Sequence, residues 1–245
     1  MRAIIVAVIV AIIIAILIYS RIFAFNGSNK KSCQLLIEQN EQLDKFFYEV
    51  SDVNTDLLLA NDYKYKMLKN VIDVYNDEWK DWPEKNLYEN NGTWKIFPFY
   101  AFGIWAKDNC EKCPEIYKFI KQIKGLKLAT LSRLSPRMKL TPHEGWGFHS
   151  NHVIRCHYGL IVPENCYISV SDGNHEEIKY HNKFEWVIFD DSKTHYAENK
   201  SNFDRIVLII DVERPSWIKT GVSKVGDSKE LLEIVNYFDK KNISI

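Results

Sequence analysis

The stretch that decides the fold is HVIRCHYGLIV, residues 152–162. It is rich in β-branched and aromatic residues and is followed by Pro163-Glu164-Asn165, a pattern that predicts a strand ending in a turn. Two similar apolar runs, at 184–189 and 205–212, also end in turn-forming residues. Several short strands with no helices between them indicate an antiparallel barrel or jelly roll. We therefore expect a mainly β domain.

Two polar residues within this strand point to a site. Arg155 and His157 are two positions apart, so in an extended strand both side chains project from the same face. Burying them is unfavourable unless they meet an anion or a metal. The alternative is a solvent-facing strand surface, because antiparallel sheets often leave one face wet.

Further polar residues stand where an all-β core would not accept them unless they face a site. His195 precedes Arg205 by ten residues, and the polar stretch 197–202 between them predicts a turn. We therefore expect His195 and Arg205 to lie near each other on a hairpin, as a neutral, metal-bound imidazole beside a guanidinium that holds a carboxylate. Ser132 and His143 are the other candidates.

The N-terminus is strongly apolar. Every residue from Ala3 to Tyr19 is apolar or Tyr, and the apolar character resumes from Ile22 to Phe25. This length approaches that of a helix crossing a bilayer core of about 30 Å, so residues 1–25 predict a single-pass transmembrane signal-anchor. A cleaved signal peptide is the alternative, but the run exceeds the usual apolar region of about 7–15 residues and no small-x-small site follows.

The side of the membrane is not determined by the flanking charges, which nearly balance. Four sequons would be usable if the body of the chain were lumenal, as in the endoplasmic reticulum: Asn26, Asn91, Asn199 and Asn242. They favour a lumenal domain.

Helical periodicity flanks the predicted strands. Residues 26–82 are predicted to form a linker and a helical stalk or cover, with apolar positions such as Phe46, Phe47 and Val50 at helical spacing. A short helix is predicted from Pro114 to Ile123. Residues 221–245 predict a terminal helix, with an Asp227 cap.

Charge and cysteine content exclude some classes of protein. The 32 basic and 32 acidic residues give no net charge, which disfavours nucleic-acid binding. The five cysteines do not form a disulfide framework pattern. Cys110-x-x-Cys113 could be half of a zinc site with His149 and His152, but a lone CxxC also fits a loop disulfide or two free thiols.

Several ordered motifs resemble one family. The runs LSRLSP (131–136), TPHEG (141–145), RCHYGLIVP (155–163) and FDDSxxH (189–195), followed by Arg205 and DVxxP (211–215), are similar to the central segment of the aspartyl/asparaginyl β-hydroxylases. Upstream, WxxFPFY (94–100) and Cys113-Pro114 also resemble that family's entry to the domain.

The resemblance implies a double-stranded β-helix, a jelly-roll or cupin-like fold, over residues 83–220. It implies an iron(II)- and 2-oxoglutarate-dependent dioxygenase with His143 and His195 as iron ligands. Most such oxygenases place a carboxylate two residues after the first histidine. Here that residue is Gly145, as in this branch of the family, so water would fill the position.

The resemblance also implies the co-substrate contacts. Arg205 would pair with the distal carboxylate of 2-oxoglutarate, helped by the Ser132 hydroxyl. Arg155 and His157 would orient the rest of the co-substrate.

The loop from His143 to Arg155 is about three residues longer than is usual in the family, and it brings in His149 and His152. Either could replace His143 as the ligand, but only His143 matches the family's Pro-His-x-Gly motif.

The implied substrate is an Asp or Asn side chain of a protein or peptide. A lipid acyl chain is the alternative, because lipid A hydroxylases resemble the same family and the predicted membrane tether suits them. A third alternative is a silent, membrane-anchored β-barrel that only binds a ligand.

Overall fold

The computed structural model describes residues 42–88, 92–101 and 103–226, together with Lys229 and Tyr237. The chain divides into two units, Met1–Leu43 and Asp44–Ile245, and all the strands and helices named below belong to the second. The predicted transmembrane segment and most of the predicted terminal helix lie outside the described residues. No helix within the described part of the chain is long and apolar enough to span a bilayer.

Two antiparallel sheets form the body of the domain. The strands are β1 (Phe47–Tyr48), β2 (Lys80–Asp81), β3 (Trp94–Ala101), β4 (Ile104–Trp105), β5 (Leu126–Leu134), β6 (Met138–Lys139), β7 (Val153–Ile161), β8 (Cys166–Ser171), β9 (Glu176–Tyr180), β10 (Trp186–Phe189), β11 (Thr194–Asn199) and β12 (Arg205–Glu213). The major sheet has the order β1-β10-β7-β12-β5-β3-β2, with β4 beside β3, and the minor sheet has the order β6-β11-β8-β9. The predicted mainly β architecture is confirmed.

The helices are α1 (Val50–Val53), α2 (Ala60–Asp73), α3 (Lys107–Lys112), α4 (Pro114–Ile120) and α5 (Gly147–Ser150), with 3-10 turns at Thr55–Leu59 and Lys85–Leu87. Helices α2 and α4 pack together, and α2 also contacts β7. The Asn70 side chain of α2 accepts hydrogen bonds from the backbone N–H groups of Glu115 and Ile116, at 2.9 and 3.2 Å. It thereby caps the N-terminus of α4, where Pro114 occupies the first turn.

One predicted helical position is a strand instead. Phe47 and Tyr48 pair with Phe189 and Ile188 and extend the edge of the major sheet at β10. A short apolar run is compatible with either a helix or a strand, and here the open hydrogen-bonding edge of β10 decides between them.

Alternation along β7 separates the core from the site. Cys156, Tyr158 and Leu160 are buried, while Arg155 and His157 line a cavity between the two sheets. The predicted common face of Arg155 and His157 is therefore confirmed, and an apolar cluster with residues from both sheets, including Leu134, Ile168 and Phe189, packs in the core.

Candidate metal and co-substrate site

His143 and His195 face each other across a two-residue bridge between backbone segments. His143 N–H donates to the carbonyl of His195 at 2.9 Å, and His195 N–H donates to the carbonyl of His143 at 2.8 Å. The two ring centroids are 4.4 Å apart. This reciprocal pairing gives the two imidazoles a common, rigid backbone support.

The hydrogen-bond partners of His143 and His195 show which ring nitrogen carries the proton. His143 Nδ1 lies 2.8 Å from the carbonyl of Thr141, and His195 Nδ1 lies 2.9 Å from the carbonyl of Lys193. A carbonyl can only accept, so each Nδ1 carries the proton and each Nε2 keeps its lone pair. Burial lowers the pKa of His143 to about 3 and that of His195 to about 4, so both rings are neutral at pH 7. Neutral imidazoles with a free Nε2 are suitable metal ligands.

A carboxylate stands beside this pair. Asp191 is 1% exposed, and its Oδ1 lies 3.4 Å from His195 Nε2. A Cβ built at Gly145 would overlap Asp191 Oδ2 and stand 2.9 Å from the Cβ of Ser150. Asp191 therefore fills the space that the absence of a side chain at Gly145 leaves open.

Arg155 is held by two carboxylates. Its Nε and Nη2 donate to Oδ1 and Oδ2 of Asp211, both at 2.8 Å, and its Nη1 lies 2.5 Å from Asp191 Oδ1. His149 Nε2 contacts Asp211 Oδ2 at 2.8 Å. Burial opposes ionisation of Asp211, but Arg155 outweighs it and holds the pKa of Asp211 below its usual range.

Asp191 has fewer hydrogen-bond partners than Asp211, the other carboxylate that contacts Arg155. Both of its oxygens are buried without a well-oriented hydrogen bond from the described residues, and Oδ1 has a close charged contact with Arg155 Nη1. Burial raises the pKa of Asp191, and Arg155 offsets this only in part. A buried carboxylate of this kind, next to two imidazole lone pairs, fits a cation or a cation-bound water. His143 and His195 would hold the metal, with Asp191 at its side.

The other end of the cavity is suited to an anion. Arg205 is 2% exposed and its Nη1 has no hydrogen-bond partner among the described residues, and the same is true of His157 Nε2. Ser132 lines the same cavity, and its Oγ accepts from Trp94 Nε1 at 3.0 Å. Burial lowers the pKa of Arg205 to about 10, which leaves the guanidinium charged at pH 7. An unpaired buried guanidinium is unfavourable unless an anion joins it.

The predicted site residues come together, but not all as expected. Ser132, His143, Arg155, His157, His195 and Arg205 line one cavity. The free volume is small, about 20 Å³, so an organic acid would enter only with movement of the lining side chains.

The predicted hairpin of His195 and Arg205 is wrong. β11 pairs with β8 and β6 in the minor sheet, whereas β12 pairs with β5 and β7 in the major sheet. The chain therefore crosses between sheets after Asn199. His195 and Arg205 share a cavity because the two sheets face each other.

The sequence patterns did not place Asp191 or Asp211 in the site. A signal for Asp211 was present, because it interrupts the apolar run of β12 and is directly opposite Arg155 in the sheet register. His149 contacts Asp211 in this cluster, not His143 or His195.

The cysteines form no metal centre in the part of the chain described. Cys110, Cys113, Cys156 and Cys166 are free and buried. No group of three or more His, Cys, Asp or Glu side chains there is arranged to hold a metal ion, so the candidate centre rests on two imidazoles.

Comparison with known proteins gives the family. Residues 65–215 match the family model described as aspartyl/asparaginyl beta-hydroxylase. This match covers more than half of the chain, and the chain belongs to that family of hydroxylases.

Two relatives and one structure illustrate the likeness. The ornithine lipid ester-linked acyl 2-hydroxylase of Rhizobium tropici is 33% identical over 50% of this chain and 42% of its own length. The aspartate beta-hydroxylase domain-containing protein 2 of Mus musculus is 30% identical over 51% of this chain and 37% of its own length. The chain thus matches about two fifths of these relatives. A prolyl hydroxylase from Trichoplax adhaerens has 11% identity and a TM-score of 0.46, over 64% of this chain and 87% of that one.

Proposed function

We propose that this chain is an iron(II)- and 2-oxoglutarate-dependent hydroxylase. One observation carries the proposal: a single buried cavity has two imidazole lone pairs at one end and an unpartnered guanidinium nitrogen at the other. A metal bound by His143 and His195, with a dicarboxylate reaching to Arg205, would satisfy both ends. When bound, iron(II) would supply the activation of dioxygen that is coupled to decarboxylation of 2-oxoglutarate.

The residues of the chain have separate tasks in this proposal. His143 and His195 hold the metal through Nε2, and their Nδ1–H donations to Thr141 and Lys193 fix the ring orientations. Arg205 orients the co-substrate through its distal carboxylate, assisted by Ser132. The apolar walls from Leu140, Ile168 and Phe189 exclude water.

The family favours an Asp or Asn side chain of a protein or peptide as the substrate. A lipid acyl chain is the second candidate, because exposed apolar residues border the loop that carries Gly145. Phe148, Val222 and Val225 are 46, 54 and 38% exposed, and Gly147 N–H donates to the carbonyl of Val225. The similarity to a lipid acyl hydroxylase supports this second candidate. So does the apolar segment Ala3–Tyr19, which as a single-pass anchor would hold the chain at a membrane.

The test uses the full chain in detergent, loaded anaerobically with iron(II). Succinate release from 2-oxoglutarate is measured with disulfide-rich peptides containing Asp and Asn, and separately with ornithine lipid, and the gain of one oxygen atom is followed by mass spectrometry. We expect turnover that His195→Ala abolishes. Absence of both iron binding and turnover would instead favour the ligand-binding protein.

A further inference from the structure

Another buried histidine, His181, contacts His157, which lines the cavity. His181 is 4% exposed and its Nε2 lies 3.2 Å from Nδ1 of His157. The two rings are nearly parallel, with an interplanar angle of 12° and centroids 5.5 Å apart. His181 precedes β10, and its backbone N–H donates to the carbonyl of Cys166 at 2.8 Å, which anchors it to the minor sheet.

The two rings share one hydrogen bond. Burial lowers the pKa of both histidines well below 6.5, and the charge of Arg205 contributes to both shifts. Two neutral imidazoles joined through Nδ1 and Nε2 hold a single proton between those atoms. Either His181 donates and His157 carries its own proton on Nε2, or His157 donates and its Nε2 is bare.

The surroundings distinguish these two arrangements. His157 Nε2 and His181 Nδ1 are both buried and have no hydrogen-bond partner within the described ranges. In either arrangement one N–H lacks a protein partner among the described residues: His181 Nδ1–H if His157 donates, and His157 Nε2–H if His181 donates. His157 lines the cavity, where water or a ligand can accept from its Nε2–H, whereas His181 is not among the residues that line it. A donor that can reach an acceptor is favoured over a sealed one, so His181 donates and the proton of His157 is on Nε2.

We propose that His181 is a positioning residue that donates to His157 Nδ1 and so makes His157 Nε2–H a donor to a carboxylate of the co-substrate. The cavity then has two N–H donors, His157 Nε2–H and Arg205 Nη1–H, that are available to the carboxylate before it binds. The inference rests on the proposed function for the identity of the carboxylate, but not for the direction of the hydrogen bond.

The proposal is tested with two variants and a matched control. His181→Phe keeps an aromatic ring beside His157 but removes the donor. His181→Gln places an amide N–H near the former Nε2 position and should restore the donation. His175→Phe is the control, since its side chain is 81% exposed.

The first measurement is the tautomer of His157, read from ¹⁵N chemical shifts of histidine-labelled full chain in detergent at pH 8, without metal or co-substrate. We expect the Nε2–H form in the wild type and in His181→Gln, and a mixture in His181→Phe. A wild-type His157 protonated on Nδ1 would overturn the proposal, whether or not the His181→Phe variant folds.

The second measurement is 2-oxoglutarate binding by calorimetry with Mn²⁺ as an inert metal. Loss of a preset hydrogen bond to a charged group predicts a roughly tenfold weaker affinity in His181→Phe, with His181→Gln and His175→Phe near the wild type. The double variant with His157→Phe should be no weaker than His157→Phe alone. Equal affinity of His181→Phe and wild type would overturn the positioning role. A further outcome is that the wild type binds no 2-oxoglutarate while its His157 is still protonated on Nε2. That result would overturn the proposed co-substrate but support the proposed direction of the hydrogen bond from His181.

Discussion

The Asp191 carboxylate lies against Gly145 and fills the space in which a side chain at that position would begin. A Cβ at Gly145 would overlap Asp191 Oδ2, and the two positions therefore cannot both carry a side chain without movement. Gly145 N–H also donates to the Asp191 carbonyl at 2.9 Å, which keeps the segments together.

Gly145→Asp should therefore lower both stability and activity. The new side chain meets Asp191 and Ser150, and overpacking of a buried site costs about 1–3 kcal/mol. We expect iron(II) still to bind, because both imidazoles remain, while hydroxylation falls. Thermal unfolding and iron titration measure the two effects.

The compensating variant gives the control. Gly145→Asp combined with Asp191→Gly removes the collision with Asp191, though not the one with Ser150, and should recover part of the lost melting temperature. If Gly145→Asp alone were as stable as the wild type, the steric relationship between these residues would be refuted.

The ligand assignment predicts different results for three histidines. His143→Ala and His195→Ala should each abolish iron(II) binding, because the proposed centre depends on both of their Nε2 atoms. His149→Ala should retain binding, since the His149 ring contacts Asp211 instead. Anaerobic titration with iron(II) reports all three, and loss of iron in His149→Ala would exclude the assignment of His143.

Arg205→Lys keeps the charge but loses the planar pair of donors. A charge-assisted hydrogen bond contributes about 1.5–3 kcal/mol, so the Kd for 2-oxoglutarate should rise by roughly tenfold or more. Iron affinity should be nearly unchanged, because Arg205 is not one of the two proposed metal ligands. Calorimetric titration of the metal-loaded proteins checks this, and equal co-substrate affinities would remove Arg205 from the site.

The Asp211–Arg155 pair should matter for stability. Asp211→Asn leaves the buried guanidinium with only Asp191 as a counter-charge, and breaking a buried pair costs about 3–5 kcal/mol. The matched control is Asp73→Asn, which breaks the exposed Lys69–Asp73 pair and should change the free energy of unfolding by less than about 1 kcal/mol. Urea titrations compare them, and similar small losses in both would contradict the buried network.

Acid should destabilise the apo protein through its buried histidines. The folded-state pKa of His157 and of His181 is depressed below 6.5 by burial, so the unfolded chain binds protons that the folded chain does not. Well above pH 6.5 the two histidines do not change the free energy of unfolding. Below pH 6.5 that free energy falls, with a slope that approaches about 1.4 kcal/mol per pH unit for each group.

His181→Gln should therefore reduce the mean slope between pH 7 and pH 5 by about 1 kcal/mol per pH unit. The free energy of unfolding is measured between pH 7 and pH 5 without metal, with His175→Gln as the exposed control. An unchanged slope in His181→Gln would mean that His181 becomes protonated in the folded state.

The sequence by itself determined the features that depend on local periodicity. Alternation along residues 152–162 placed Arg155 and His157 on one face, and the apolar run from Arg205 defined β12. The family motifs selected six of the residues that line the cavity, because ordered motifs carry information about partners that are distant along the chain.

Only the tertiary structure decided how distant strands meet. Strand pairing depends on which hydrogen-bonding edges are open and on which faces are packed, and neither is written in a local pattern. It separated His195 and Arg205 into facing sheets, brought Asp211 opposite Arg155, and set Asp191 against Gly145. It also placed His181 behind His157, since the meeting of two residues 24 positions apart is fixed by packing between the sheets.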